Sequence, residues 1–214
     1  MAYYIIDIRN LNPQTYPYYF FDSNSWIAQL RSLSLTPQSN DLPYLNFFED
    51  MIELNETDDS KNRVKLVKPK IIVTSLLVSE IFNAYMRQVA MKVYYTNEGL
   101  KMGLNKDAAE SDWRRYDFKK HYRGTENYRS QLRKLKSDFL AYLSYMEFRD
   151  DGFKALDPKT VIQSISDSTD FNDFLYYYSL VDEQIPIVTN DGDFIFQDIP
   201  IITANWKLLS VTKK

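Results

Sequence analysis

The segment I-V-T-N-D-G-D-F, residues 187–194, begins as a buried strand and ends in a cluster of polar and acidic side chains. Its first two residues are typical of the interior of a β-sheet, whereas its two acids, Asp191 and Asp193, are not. A second segment, I-P-I-I-T at residues 199–203, is also apolar without alternation. Continuous apolar runs of this kind predict strands that are covered on both faces, as in a parallel sheet.

Further strands and helices alternate along the chain. The pattern predicts an aromatic strand in residues 16–22 and a β-branched strand in residues 71–73. It predicts helices over residues 44–56, 75–95 and 168–184, and another directly after the aromatic strand. This alternation predicts an α/β fold, a three-layer α/β/α sandwich with a mainly parallel central sheet.

One part of the chain departs from this alternation. We expect residues 1–214 to form a single domain and residues 94–151 to be a helical insertion within it, with a helical piece over residues 128–148. From residue 113 to residue 136 there are nine basic and two acidic residues, a net +7 in a chain whose net charge is -3.

The basic residues of the insertion are interleaved with aromatic ones. This composition suits single-stranded nucleic acid, through phosphate contacts and base stacking. A solvated helical face whose aromatic side chains pack inward is an interpretation that stays open. The candidate substrate contacts in this run are Arg114, Arg115, Lys119, Lys120 and Arg123.

The composition excludes several classes of site. The chain has no cysteine and one histidine, which excludes disulfides, thiolate metal sites and cages of several histidines. It has five glycines and neither a Walker-type nor a G-x-G-x-x-G pattern, which disfavours nucleotide binding of those kinds. No apolar run approaches the roughly 20 residues that span a bilayer. The start of the chain lacks a secretory signal pattern. We therefore expect a cytoplasmic protein without a membrane partner.

Four acidic residues stand where strands and helices of such a sheet are expected to meet. Asp22 stands at the end of the aromatic strand, and Asp191 follows the predicted strand of residues 185–189. Both would therefore lie at the carboxyl edge of a parallel sheet. Glu80 lies on a mostly apolar helical face, and Asp173 lies in the first turn of a helix. Converging carboxylates repel unless a cation joins them, and oxygen-only ligands suit Mg²⁺ or Mn²⁺. Such ions can activate water and polarise a phosphoryl oxygen.

Each of these acids also has a purely structural interpretation. Asp22 can cap the helix that follows it. Asp173 can be the partner of a cap at Asp170. Glu80 can pair with Arg87 two turns further on or lie at a solvated edge, and Asp191 and Asp193 can be turn residues.

Three segments resemble the PIN domain family of metal-dependent nucleases. Y-Y-F-F-D-S-N-S-W-I, residues 18–27, resembles the opening strand of that family with its Asp-Thr-Asn sequence and helix. Residues 71–87 are similar to its strand-Ser-helix segment with an internal glutamate. Residues 173–194 are similar to its closing segment, in which an Asp opens a helix and a strand ends in Thr-Asn-Asp. The resemblance covers about residues 17–30, 68–90 and 168–206.

The resemblance implies that four residues are catalytic metal ligands, with Asp193 as a fifth candidate ligand. The four are Asp22, Glu80, Asp173 and Asp191. It also implies that Asn24 and Thr189 are polar groups beside the metal or the substrate.

PIN domains are mostly nucleases of single-stranded RNA, and many are toxins neutralised by an antitoxin. The expected function is therefore that of a Mg²⁺- or Mn²⁺-dependent ribonuclease, and a toxin of a toxin–antitoxin pair is compatible with it. The alternative is a catalytically weak PIN-like module that binds RNA or protein. Single-stranded RNA is the expected partner, and an antitoxin and a second copy in a homodimer are left open.

Overall fold

The computed structural model describes residues 4–58, 66–151, 157, 159, 162–163 and 170–211. Within these residues six strands form one sheet. The strands are β1 (Ile5–Asp7), β2 (Tyr18–Phe21), β3 (Lys70–Val73), β4 (Met146–Phe148), β5 (Ile187–Val188) and β6 (Ile201–Thr203). Their order is β1-β6-β5-β2-β3-β4, and every neighbouring pair is parallel.

The helices connect these strands. The α-helices are α1 (Ser23–Ser32), α2 (Leu42–Glu56), α3 (Ser75–Ala84), α4 (Met91–Lys101), α5 (Lys106–Asp112), α6 (Glu126–Leu140), α7 (Phe171–Leu180) and α8 (Trp206–Val211). Shorter turns of 3-10 or π-helix occupy Ile8–Asn10, Pro13–Thr15, Tyr85–Ala90, Trp113–Arg115, Phe118–Tyr122 and Leu143–Tyr145. Among the helices of the described residues, none combines the length and apolar character needed to cross a membrane.

Successive rings of β2 contact helices on opposite faces of the sheet. Tyr19 and Phe21 contact Phe47 on α2, with ring centroids 5.3 and 6.3 Å apart. Phe20, which points the other way because side chains alternate along a strand, contacts Tyr176 on α7 at 4.9 Å. Helices therefore cover both faces. The predicted α/β fold with a parallel central sheet and three layers is confirmed.

The chain divides into two compact units. The sheet unit comprises residues 1–78 and 144–214, and the helical unit comprises residues 79–143. The helical unit contains most of the predicted insertion of residues 94–151, but its boundaries differ from the predicted ones at both ends.

The difference at the second boundary comes from β4. The predicted helical piece over residues 128–148 is wrong at its end, because α6 stops at Leu140 and Met146–Phe148 pair with β3. Met146 is buried in this strand. The strand β1 at the opposite edge of the sheet was not predicted either.

Aromatic rings form the interior of the helical unit. Tyr122 is fully buried, and its ring centroid lies 5.7 Å from those of Tyr94 and Tyr128 and 5.9 Å from that of Phe118. The Tyr122 hydroxyl donates to the Asn127 side chain at 2.9 Å. A buried tyrosine whose hydroxyl has a partner contributes packing without a polar penalty.

Candidate active site at the carboxyl edge of the sheet

The ends of β2 and β5 lie side by side in the sheet. The register pairs Phe21 with Val188, so the next residues, Asp22 and Thr189, are neighbours at the carboxyl edge. The chain leaves β2 towards β3 on one side and leaves β5 towards β6 on the other. In open parallel sheets such a reversal of strand order opens the crevice in which ligands bind.

The carboxylate of Asp22 is buried at this point, with 4% of the residue exposed. Its Oδ1 accepts a hydrogen bond from the Ser25 backbone N–H at 2.7 Å, and its Oδ2 accepts one from the Thr189 hydroxyl at 2.5 Å. The first bond makes Asp22 the N-cap of α1, which confirms the capping interpretation. The second bond ties the same carboxylate to the end of β5.

The pKa of Asp22 reflects both its burial and its acidic neighbour. Burial raises the pKa of Asp22 to about 6, hydrogen bonds from Ser25 and Thr189 oppose the rise, and the negative charge of Asp191 adds to it. The carboxylate of Asp191 is therefore close enough for its charge to act on Asp22. The structure brings these two predicted site residues together.

Asp191 belongs to a tight polar turn. Its backbone N–H donates to the Thr189 hydroxyl oxygen at 2.9 Å, and its Oδ1 accepts from the Asp193 backbone N–H at 2.9 Å. The turn interpretation is thus confirmed for Asp191. The exposed carboxylate of Asp193 forms an ion pair with Lys207 at 2.5 Å. A Cβ atom at Gly192 would lie 2.9 Å from Cδ of Lys207, so glycine leaves the space that this lysine occupies.

A second turn with the same hydrogen bonds follows β6, and the sequence pattern was not used to predict it. Residues 185–191, I-P-I-V-T-N-D, and residues 199–205, I-P-I-I-T-A-N, share one pattern. In the second copy the Asn205 backbone N–H donates to the Thr203 hydroxyl oxygen at 2.9 Å, and Asn205 Oδ1 accepts from the Lys207 backbone N–H at 3.0 Å. The repeated Ile-Pro-Ile-x-Thr-x-Asx pattern is the signal that would have revealed it.

Tyr44 on α2 holds these two turns together. Its buried hydroxyl donates to Asn190 Oδ1 at 3.2 Å, lies 3.0 Å from the Thr203 hydroxyl and accepts from the Ala204 backbone N–H at 2.8 Å. Asn205 Nδ2 donates to the Asn190 carbonyl oxygen at 2.8 Å. The polar groups after β5 and β6 are therefore fixed by one hydrogen-bonded network.

The remaining predicted acids lie on two helices. Asp173 is half-buried in the first turn of α7, and Asp170 caps that helix by accepting the Asn172 N–H at 3.2 Å. Because α7 ends just before β5 begins, it runs antiparallel to the strands, and its first turn lies towards the carboxyl edge. Glu80 is half-buried on α3 and belongs to the helical unit. Asn24 is exposed in the first turn of α1. The roles of Asp173, Glu80 and Asn24 in the site stay predictions.

The predicted substrate contacts of the helical unit are on its surface. Arg114, Arg115, Lys119, Lys120 and Arg123 are exposed. Their aromatic neighbours behave differently, because Tyr122 is buried and Tyr116 stacks on Tyr95 with centroids 3.7 Å apart. The inward-packing interpretation is confirmed for these rings. Arg115 pairs with Asp112 at 2.9 Å, and the other four cations are groups that can meet a phosphate.

No protein-family model, no curated protein and no solved structure matches this chain. Across the described residues, no group of three or more His, Asp or Glu side chains is placed to hold a metal ion. The two predicted acids that the structure joins are Asp22 and Asp191, through the hydroxyl of Thr189, and Mg²⁺ is commonly held in proteins by one or two carboxylates together with water and substrate phosphates. The fold and site define an α/β protein with a pair of acids at the carboxyl edge of its sheet, where the strand order reverses.

Proposed function

We propose that this chain is a PIN-like ribonuclease that uses Mg²⁺ or Mn²⁺ to hydrolyse phosphodiester bonds of single-stranded RNA. The observation that carries the proposal is the pair Asp22 and Asp191 at the adjoining ends of β2 and β5, where the hydroxyl of Thr189 bonds both the carboxylate of Asp22 and the backbone N–H of Asp191. Two carboxylates with like charge in a crevice favour a divalent cation. When bound, such a cation polarises a phosphoryl oxygen and activates water for hydrolysis.

Neighbouring groups of the chain orient this acid pair. Thr189 fixes one oxygen of Asp22 and the backbone of Asp191, and the N–H of Ser25 fixes the other oxygen of Asp22. A ligand carboxylate held in this way needs little reorganisation when a cation binds. Asp173, which also lies in the sheet unit, is the acid that we propose as a further ligand.

The exposed cations of the helical unit supply the second part of the proposal. Lys119, Lys120 and Arg123 carry positive charge within a segment of net +7. Contacts of this kind attract the nucleic-acid backbone without selecting a sequence. They support RNA as the substrate class of the proposed nuclease.

Cleavage of single-stranded RNA tests the proposal. We expect the wild-type protein to cleave with Mg²⁺ or Mn²⁺ and to be inactive in EDTA, and we expect Asp22→Asn and Asp191→Asn to lose most of this activity. The matched control is Asp50→Asn, which removes an exposed acid of α2 and should keep full activity. Equal activity of Asp22→Asn and Asp50→Asn would remove the catalytic assignment.

A second candidate function is an RNA-binding module without turnover. Two observations favour it. Among the described residues no three acidic or histidine side chains are placed together to hold a metal ion, and both carboxylate oxygens of Asp22 already accept hydrogen bonds. Calorimetric titration with Mn²⁺ separates the two functions. Binding that disappears in Asp22→Asn supports the nuclease, whereas RNA binding without Mn²⁺ binding or cleavage supports the module.

A further inference from the structure

A cavity of about 330 Å³ opens at the carboxyl edge of the sheet unit, beside the two repeated turns. Its lining includes Arg9, Ser39, Asn40, Asn190, Asn205 and Trp206. Asn190 stands between Thr189 and Asp191 in the chain, so the cavity adjoins the candidate active site. Its size lies within the range of small-molecule pockets, and its lining is mostly polar.

Trp206 is the aromatic side of this cavity. It is 79% exposed, although burying a tryptophan normally contributes a large apolar area to a core. The turn that precedes it is held, because the side chain of Asn205 bonds the Asn190 carbonyl oxygen and the Lys207 backbone N–H. An exposed indole beside polar groups is a surface on which a nucleobase can stack.

The polar groups of the lining differ in what they can still bind. The amide of Asn205 is occupied at both ends by the network of the second turn, and Asn190 Oδ1 accepts from Tyr44. Within the described part of the chain, the Asn190 Nδ2 group and the side chains of Asn40 and Ser39 are the neutral groups that can meet a ligand. Amides and hydroxyls of this kind hydrogen-bond the edges of bases.

Arg9 adds one oriented cation to the lining. Its Nε and Nη2 donate to the two carboxylate oxygens of Asp7 at 2.8 and 2.6 Å. This two-point contact fixes the plane of the guanidinium. The remaining N–H groups of Arg9 can therefore meet a phosphate from a fixed direction.

We infer that this cavity binds one unpaired nucleobase of the RNA, stacked on Trp206 with its polar edge on Asn40 and Asn190 and its phosphate near Arg9. The inference rests on the proposed function, because the base site would be a contact of the RNA substrate next to Asp191. The cavity is a base site and takes no part in the hydrolysis.

Nuclear magnetic resonance of the ¹⁵N-labelled full chain in EDTA tests this site directly. The protein is titrated with each of the four ribonucleoside 5′-monophosphates and with ribose 5-phosphate, which carries the phosphate without a base. The indole N–H signal of Trp206, assigned with Trp206→Phe, is compared with those of Trp26 and Trp113. Backbone signals around Ala204 report binding in variants that lack the Trp206 indole.

We expect at least one nucleotide to shift the Trp206 signal to saturation and to bind about 10-fold more tightly than ribose 5-phosphate. Trp206→Ala should weaken nucleotide binding by about 5- to 150-fold, the range for loss of one stacked base. Asn40→Ala should change the preference among the four nucleotides, and Trp113→Phe should change neither property.

Equal binding of ribose 5-phosphate and of every nucleotide would overturn the base site, as would unchanged affinity in Trp206→Ala. The titration needs neither metal nor cleavage. Nucleotide binding by a protein that cuts no RNA would therefore contradict the proposed function alone. RNA cleavage without nucleotide binding at Trp206 would contradict the base site alone.

Discussion

The hydroxyl of Thr189 donates a hydrogen bond of 2.5 Å to the carboxylate of Asp22, joining the ends of two parallel strands that are 167 residues apart in sequence. The oxygen of the same hydroxyl accepts the backbone N–H of Asp191 at 2.9 Å. Thr189 is fully buried. One buried hydroxyl therefore holds both acids of the candidate site in place. Its loss should lower the free energy of unfolding and raise the pKa of Asp22.

Thr189→Val is the direct test of this role, because it keeps the shape of the side chain and removes the hydroxyl. It leaves Asp22 Oδ2 and the Asp191 N–H without this partner, so we expect the free energy of unfolding to fall by about 1–3 kcal/mol. The lost bond favoured the charged form of Asp22, so the pKa of Asp22 should rise further. The destabilisation should therefore be larger at pH 8 than at pH 5, as measured by urea unfolding.

Thr189→Ser is the matched control for this substitution, since it keeps the hydroxyl and removes one methyl group. It should cost about 1 kcal/mol for the lost packing, with little change between the two pH values. Equal losses in the valine and serine variants at both pH values would show that the hydroxyl does not support Asp22.

Asp22→Asn should make the protein more stable at neutral pH. Burial raises the pKa of Asp22 from its ordinary value of 3.8 to about 6, so the folded state binds a proton more tightly than the unfolded state. The free energy of unfolding of the wild type should therefore fall as the pH rises from about 4 to about 6, by about 3 kcal/mol in total. Asparagine lacks this titration and remains a good N-cap.

Urea unfolding between pH 4 and pH 8 in EDTA measures this effect. The Asp22→Asn variant should gain stability relative to the wild type across the window and keep that advantage above it. Asp50→Asn, which removes an exposed acid, should follow the wild-type curve. A constant difference between Asp22→Asn and the wild type over the whole pH range would contradict the raised pKa of Asp22.

Addition of Mn²⁺ should largely offset this difference in stability. A ligand that binds only the folded protein stabilises it by about 2.7 kcal/mol at a concentration of 100 times its Kd, which is a rise in Tm of about 5–10 °C for a chain of this size. We expect this rise in the wild type and in Asp50→Asn, and its loss in Asp22→Asn and Asp191→Asn. A thermal scan with and without Mn²⁺ checks it, and an equal rise in all four proteins would place the cation elsewhere.

The same thermal scan tests Asp173, the predicted acid on α7. If Asp173 is a ligand, Asp173→Asn should reduce the stabilisation by Mn²⁺. If instead Asp173 serves only the cap at Asp170, its variant should lose stability equally with and without Mn²⁺. The difference between the scans with and without Mn²⁺, and not the Tm itself, therefore decides the role of Asp173.

The central strands could be predicted from the sequence, whereas the edge strands could not. The apolar runs of β3, β5 and β6 are long enough to indicate burial on both faces. The edge strand β1 has three half-buried residues, and β4 has three residues after a helix that a helical pattern also fits. Neither is a continuous buried run like β6, which has the same length, and only their pairing with β6 and β3 defines them.

The part of the candidate site that directly follows central strands could be predicted from the sequence, and the part that comes from helices and loops could not. Asp22 and Asp191 could be placed together because each directly follows a central strand. The network of Tyr44 could not be predicted, since a tyrosine on α2 carries no pattern that aims its hydroxyl at two distant turns. The ion pair of Asp193 with Lys207 likewise depends on two loops whose approach is decided by tertiary structure.

The exposed cations of the helical unit should control the salt dependence of RNA binding. Each phosphate contact with single-stranded nucleic acid contributes about −0.7 to the slope of log K against log salt concentration. We therefore expect the triple substitution of three exposed bases to glutamine to reduce that slope by about 2, measured by fluorescence anisotropy with a single-stranded RNA in EDTA. The three bases are Lys119, Lys120 and Arg123.

A second triple substitution to glutamine removes the same charge from bases of the helical unit that are already paired. Arg129 and Arg133 pair with Glu126 at 3.1 and 3.2 Å, and Lys134 pairs with Asp138 at 2.5 Å. Because these bases have carboxylate partners, their loss should change the slope much less than loss of the first three. Equal slopes for the two triple variants would mean that net charge alone attracts RNA and that the surface around Lys119 makes no phosphate contacts of its own.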